Sequence, residues 1–190
     1  MVVLNRIYTR QGDDGTTSLG TGERVRKDSL RVAAFGTVDE ANACVGLARL
    51  HMSDQPDLDA MLARIQNDLF DLGADLCTPS AKPGKDALRI IEAQIVRLES
   101  EIDLLNADLK PLRSFVLPGG APAAAFLHQC RTVARRAERL MVELDAQADE
   151  IVNASALKYM NRLSDFFFVA ARYVNNGGEG DVLWVPGQNR

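Results

Sequence analysis

Residues 131–139, Arg-Thr-Val-Ala-Arg-Arg-Ala-Glu-Arg, put four arginines and one glutamate into nine positions of an otherwise apolar segment. At about 100° per residue, a helix gathers Arg131, Arg135, Glu138, Arg139 and the preceding His128 into an arc of about 100°. Leu127, Cys130, Ala134, Ala137 and Met141 fall on the other side. The stripe contains no lysine, and arginine is the residue suited to planar, bidentate recognition of phosphate or carboxylate. The chemistry on offer is anion binding at fixed spacing; the plain alternative is a solvated helix face.

A second candidate lies at the N-terminus. Residues 1–28 carry Gly12, Gly15, Gly20 and Gly22 among Thr9, Thr16, Thr17, Ser18 and Thr21. Glycines let backbone N–H groups turn inward as a nest and hydroxyls add donors, so such an arm can wrap a phosphate. A plain surface loop has the same composition. The stretch Gly15–Gly22 is not a Walker A loop, because Thr21 stands where lysine is required and Gly22 where serine or threonine is required. The third candidate is residues 159–168, where Asn161, Arg162, Ser164 and Asp165 interrupt an apolar helix. Arg162 and Asp165 are spaced for an ordinary i,i+3 ion pair.

The charge balance supports a localised anion pocket. The chain is acidic overall, at −4, which argues against a nucleic-acid protein. Residues 1–31 nonetheless hold six basic against four acidic groups, and residues 126–140 hold four arginines against Glu138. No apolar run suits a membrane span, and the N-terminus lacks the pattern of a secretory signal. Cys44, Cys77 and Cys130 are odd in number and widely spaced, which points to a reducing cytoplasm. With His51 and His128 the only histidines, a protein-built transition-metal centre is not expected.

These groups need a frame, and 190 residues suffice for one domain. The apolar spacing predicts five helices in an all-α, up-and-down bundle over 29–175, preceded by the glycine-rich arm (1–28) and followed by a short extended tail (176–190). Asp28 or Ser29 caps the first helix, which runs to about His51 and buries Val32, Phe35, Val38, Ala43, Val45 and Leu50. The second buries Leu58, Met61, Ile65, Leu69, Leu72 and Leu76. Residues 78–86 form a loop. A third helix has the cleanest register, from Leu88 through Ile91, Ile95, Leu98, Ile102 and Leu105 to Leu109. The fourth starts near Ala121 and carries the arginine stripe to about Ala148; the fifth is capped by Asn153 or Ser155 and ends at Asn175.

The blocks TRQGDDGTTSLGTGERVRKDS (9–29), FGTVDEANACVG (35–46), SFVLPGG (114–120), LHQCRTVARRAER (127–139) and YMNRLSDFFF (159–168), taken together, resemble the PduO-type corrinoid adenosyltransferases. The resemblance covers nearly the whole chain. It implies transfer of the 5′-deoxyadenosyl group of ATP to cob(I)alamin by a homotrimer of five-helix bundles, with sites between subunits and Mg²⁺ accompanying the ATP, near Glu138. It assigns ATP binding to Thr9, Arg10, Gln11, Gly12, Thr17, Ser18, Lys27, Arg135, Arg136, Ala137, Glu138, Arg139 and Asn161. Asp39 would pair with Arg131 across a subunit interface, and Phe115 would pack below the corrin. Arg135, Phe115, Asp39 and Arg131 are thus the expected catalytic set. A flavoprotein or other reductase would supply electrons, and an adenosylcobalamin-dependent enzyme would take the product. Gln11, Asp14, Ala41, Gln129 and Cys130 depart from the family pattern, and Asp14 sets a carboxylate near the expected polyphosphate. Two other readings fit the residues: a non-catalytic nucleotide- or corrinoid-binding sensor or delivery protein, and a helical scaffold whose arginines make only subunit contacts.

Overall fold

The computed structural model describes residues 7–79 and 87–190. The first six residues of the arm and most of the expected 78–86 loop lie outside them. Among the described residues five helices form in chain order, α1 (Leu30–Arg49), α2 (Pro56–Cys77), α3 (Glu92–Asn106), α4 (Pro122–Asp145) and α5 (Ala154–Val174). Four short strands accompany them: β1 (Thr16–Ser18), β2 (Arg24–Arg26), β3 (Val116–Leu117) and β4 (Val182–Leu183). The all-α bundle expected from the apolar spacing is therefore present. The arm and the tail are more ordered than their glycine content suggests. β1 pairs antiparallel with β2, Thr17 opposite Val25, and β3 pairs antiparallel with β4, Val116 opposite Leu183.

α4 packs against both α1 and α5; α2 packs against α1 and also meets α5, and α3 packs against α5. Neighbours α1 and α4 run antiparallel, since Arg136 pairs with Glu40 while His51 stacks on Phe126 at 5.2 Å. The core is continuous across all five helices, with Tyr159, Phe166, Phe167, Leu62 and Leu72 among its fully buried side chains.

Buried carboxylates tie the outer helices to this core. Asp75 accepts from Arg89 Nη1 at 2.5 Å, from the Ile90 N–H at 2.9 Å and from Asn153 Nδ2 at 2.8 Å. Asn153 meanwhile caps α5 by accepting the Ser155 N–H at 3.0 Å. Asp68 takes the Tyr159 hydroxyl at 2.7 Å, Gln94 Nε2 at 2.9 Å and the Arg97 guanidinium. A buried carboxylate is costly unless its oxygens are filled, and each of these is filled from elements distant in sequence.

Several expectations are corrected. α3 begins at Glu92 and ends at Asn106, so Leu88, Ile91 and Leu109 fall outside it; Leu88 and Ile91 are exposed. The clean heptad continues past the helix because Ile90, off register, is the buried residue of the entry segment. On α1, Ala43 and Leu50 are exposed and Val32 and Phe35 only half-buried. Their turns face away from α2 and α4, and Ala41, Cys44, Val45 and Ala48 fill the contact instead. Neither expected α1 cap forms: Ser29 makes no side-chain cap bond, and Asp28 binds Arg26 at 2.7 Å. α4 ends at Asp145, not Ala148.

His128 is the largest departure. The helical wheel puts it on the basic stripe, yet it is 1% exposed, edge-on to the Phe168 ring at 6.3 Å. Flanking helices cover more of α4 than an isolated wheel implies. Burial, then the charge of Arg131, push its pKa below the ordinary value, outweighing the pull of Asp181. A folded-state pKa below the unfolded one stabilises the fold above about pH 6.5 and withdraws that contribution as the pH falls through the folded value. His128→Gln should therefore flatten the loss of thermal stability between about pH 7 and pH 5; equal melting slopes for variant and parent would contradict this.

Candidate functional site

The site is organised along α4. Arg131 sits half-buried at one level, and Arg135 and Arg139 stand exposed about one and two turns further on. The span from Arg131 to Arg139 is about 12 Å at 1.5 Å per residue. At the Arg131 end opens a cavity of about 620 Å³ lined by Leu112, Arg113, Ser114, Phe115, Val116, Arg131 and Phe168. That volume suits an organic ligand with an apolar face. Phe115 is 76% exposed, so it is not a core residue.

Among the described residues Arg131 makes no ion pair, and its Nε is buried without a hydrogen-bond partner. Burial, then Arg135, hold its pKa below the ordinary arginine value. Asp39, its expected partner, is exposed and makes no ion pair among the described residues. The antiparallel register explains why. With Glu40 level with Arg136 and His51 level with Phe126, Arg131 sits opposite residues 45–46, about 10 Å along the axis from Asp39. One chain does not make this pair.

Further along α4 the two flanks diverge. Glu138 faces α5, accepting Asn161 Nδ2 at 2.8 Å, and Asn161 Oδ1 accepts from Arg162 Nη1 at 2.7 Å. Arg162 also reaches Glu99 on α3 at 2.8 Å. The i,i+3 pair of Arg162 with Asp165 does not form, because Glu99 offers a partner across the helix interface. Arg136 faces α1 and pairs with Glu40. Ala137 is fully buried, so its side chain cannot meet a ligand. Arg135 and Arg139 make no ion pair among the described residues and remain the open cations of the stripe.

Most of the arm's side-chain hydrogen bonds are internal. Lys27 Nζ donates to the Gly12 carbonyl at 2.8 Å and Arg24 Nη2 to that of Gln11 at 2.5 Å. Arg10 adopts φ +63°, a left-handed turn that is uncommon outside glycine, and its guanidinium lies over the Tyr8 ring. Asp14 is engaged locally: it accepts the Thr16 N–H at 2.9 Å and the Thr16 hydroxyl at 2.7 Å, with Arg24 beside it. Those bonds, the Thr16 hydroxyl foremost, lower its pKa. Leu19 is buried, and the Gly20 N–H donates to the Cys77 carbonyl at 2.8 Å, fixing the arm to the end of α2.

Among the described residues no polar contact joins the two groups of expected site residues. The polar contacts of Gly12, Gln11 and Lys27 stay within the arm, whereas those of Arg136, Glu138 and Asn161 stay among the helices. Phe115, Arg131, Arg135, Glu138, Arg139 and Asn161 share the α4 side; Thr9, Arg10, Gln11, Gly12, Thr17, Ser18 and Lys27 share the arm. Among the described residues, no group of three or more His, Cys, Asp or Glu is placed to hold a metal ion. Phe168 in the cavity wall and Trp184, whose ring lies 5.9 Å from Phe115, were not expected at the site. A lone tryptophan in a short apolar tail was the available signal.

The cobalamin adenosyltransferase family matches residues 7–174. A corrinoid adenosyltransferase of Mycobacterium bovis is 49% identical over 100% of this chain and 97% of its own length. A corrinoid adenosyltransferase of Bacillus subtilis is 46% identical over 93% of this chain and 91% of its own. In structure, a variant PduO-type ATP:corrinoid adenosyltransferase from Lactobacillus reuteri, complexed with cobalamin and ATP, superposes with a TM-score of 0.88 at 39% identity, covering 95% of this chain and 97% of the other. The stripe on α4, the Phe115 cavity and the glycine-rich arm accordingly belong to a member of the cobalamin adenosyltransferase family.

Proposed function

We propose that this chain transfers the 5′-deoxyadenosyl group of ATP to cob(I)alamin, giving adenosylcobalamin and triphosphate. One observation carries the reading: a single helix lines an apolar-walled cavity through Arg131 and presents open cations, Arg135 and Arg139, within about 12 Å. The corrin fits the first place and the triphosphate the second. The relatives' names, and the cobalamin and ATP in the Lactobacillus reuteri complex, support the same pairing.

In this reaction Co(I) attacks the ribose C5′, the C5′–O bond breaks, and triphosphate leaves with the bonding electrons as cobalt becomes Co(III). Co(I) is already a strong nucleophile, so no general base is needed; the protein positions the partners and stabilises the leaving charge. Arg135, Arg139, Lys27 and the arm's N–H groups do this, with Arg10, Gln11, Thr9, Gly12, Thr17 and Ser18 around the phosphates. Asn161, already fixed by Glu138 and Arg162, orients the nucleotide. Mg²⁺ would arrive with ATP as part of the substrate, with Glu138 the carboxylate to meet it. Phe115, projecting into solvent beside the cavity, excludes water and the dimethylbenzimidazole from the lower face of the corrin, which eases reduction of Co(II).

The two groups of site residues that one chain holds apart meet between copies. A homotrimer sets the arm of one subunit against the α4 stripe of the next, and Asp39 then supplies the counter-ion that Arg131 lacks among the described residues of its own chain. Closed symmetry makes each interface equivalent, so each carries a site. The enzyme works in the cytoplasm with a flavoprotein or other reductase as electron source and an adenosylcobalamin-dependent enzyme as recipient.

Anaerobic incubation with cob(I)alamin, ATP and Mg²⁺ tests the reaction; the adenosylcobalamin spectrum should develop, and a spectrum unchanged over many turnovers' time would leave a binding protein. Arg135→Ala should lower kcat at least about tenfold, within the range for losing one donor to a developing charge, without changing helical circular dichroism. Near-parental kcat would remove Arg135 from the site. Phe115→Ala should still bind both substrates, cob(I)alamin more weakly, and adenosylate chemically reduced cob(I)alamin, while failing to support reduction of Co(II). Reduction at the parental rate would rule out the role given to Phe115.

A further inference from the structure

Phe115 is mostly exposed, so packing around its own ring does little to fix it. Its position is set from the last turn of α5. Arg172 there gives Nη2 to the Lys110 carbonyl at 2.9 Å and Nε to Asp181 Oδ2 at 2.8 Å. Asn175 accepts the Ala121 N–H at 2.9 Å, and its Nδ2 donates to the Gly119 carbonyl at 3.3 Å and to Asp181 Oδ1 at 3.1 Å. Lys110 precedes Phe115 by five residues and Gly119 follows it by four. Both ends of the segment that carries Phe115 are thus fastened to one helical turn.

Asp181 extends the fastening to the tail. It opens directly into β4, which pairs with β3. The Trp184 N–H then donates to the Phe115 carbonyl at 2.8 Å, and the Ser114 hydroxyl donates to the Trp184 carbonyl at 2.7 Å. The fit around the hub is close. A Cβ on Gly120 (φ +93°) would run into the Asn175 amide, and one on Gly178 (φ +86°) would lie 2.8 Å from Arg172 Nη2.

Arg172 and Asn175 are 6% and 3% exposed, and the Asp181 side chain 1%. A buried ion pair is a poor way to gain stability, because desolvation consumes most of the attraction; what it supplies is a unique geometry. The family match ends at residue 174, so Asn175 and Asp181 lie beyond it.

We propose that Arg172, Asn175 and Asp181 form a positioning clasp that holds Phe115 at the wall of the Arg131 cavity and makes the C-terminal tail a working part of the corrinoid half-site. This rests on the reading that the cavity takes the corrin. The three residues touch no substrate; they act through the backbone on either side of Phe115. Loosening them shifts Phe115 and leaves the arm and the stripe untouched, so the two substrates respond differently.

The test uses Asp181→Asn and Asn175→Ala in the full chain, well below the melting temperature of each. Trp184 is the only tryptophan, so intrinsic emission reports the tail directly. Both variants should shift that emission to the red, raise KM for cob(I)alamin by about tenfold, and leave KM for ATP within about twofold. Asp181→Glu, which keeps the charge, should recover part of the cob(I)alamin KM. Should Asp181→Asn fail to fold, Asn175→Ala decides alone, since it retains the ion pair. Unshifted emission overturns the clasp. Shifted emission with an unchanged KM for cob(I)alamin, or with equal rises for both substrates, overturns its positioning role. Parental protein that does not turn over ATP and cob(I)alamin refutes the proposed reaction instead, and cob(II)alamin binding followed in the same variants then replaces KM as the readout.

Discussion

Everything at the site depends on how α4 is packed. A helix flanked by α1 on one side and α5 on the other has only a narrow free edge, and that edge is where Arg135 and Arg139 stand. Their neighbours are absorbed by the flanks: Arg136 by Glu40, Glu138 by Asn161. Many residues turned inward are small, Ala123, Ala124, Cys130, Ala134 and Ala137, set between Leu127, Val133, Met141 and Leu144, which lets two helices approach α4 closely. Close approach in turn buries His128 and half-buries Arg131. The same contact that stabilises the bundle therefore leaves one arginine short of a partner and two facing outward.

Polar groups inside the fold serve the same end. Asp68 and Asp75 bind segments that apolar packing alone would leave free to slide, and the chain from Glu138 through Asn161 and Arg162 to Glu99 links three helices by defined hydrogen bonds. Apolar contacts tolerate small displacements; a filled set of carboxylate oxygens does not. The axial level of α4 against α5, and hence of each arginine along the site, is held by this second kind of contact.

Much of this was readable in the residues. Five helices follow from apolar spacing, and the Arg131–Arg139 stripe follows from the same periodicity. Periodicity says nothing of which flank is covered, so it places His128 on the exposed edge. It also overran α3, because Leu88 and Ile91 keep the rhythm without helical backbone. The pairing of β3 with β4, and the hub at Arg172, join positions far apart in the chain by backbone hydrogen bonds and one buried ion pair. Neither leaves a periodic trace. Arg162 illustrates the general difficulty: its sequence neighbour Asp165 was a sound local partner, and Glu99 on another helix was the one it found.

Lys27 and Arg24 are already hydrogen-bonded, to the carbonyls of Gly12 and Gln11. For any polyanion that docks on the arm, binding is then a trade of acceptors and not the capture of loose side chains. The enthalpy gained is only the margin by which a charged oxygen exceeds a neutral carbonyl. The ordering cost of two long side chains, commonly about 0.5–1.5 kcal/mol each on association, has been met during folding. An arm prepared in this way gives up strength of attachment and gains speed of exchange.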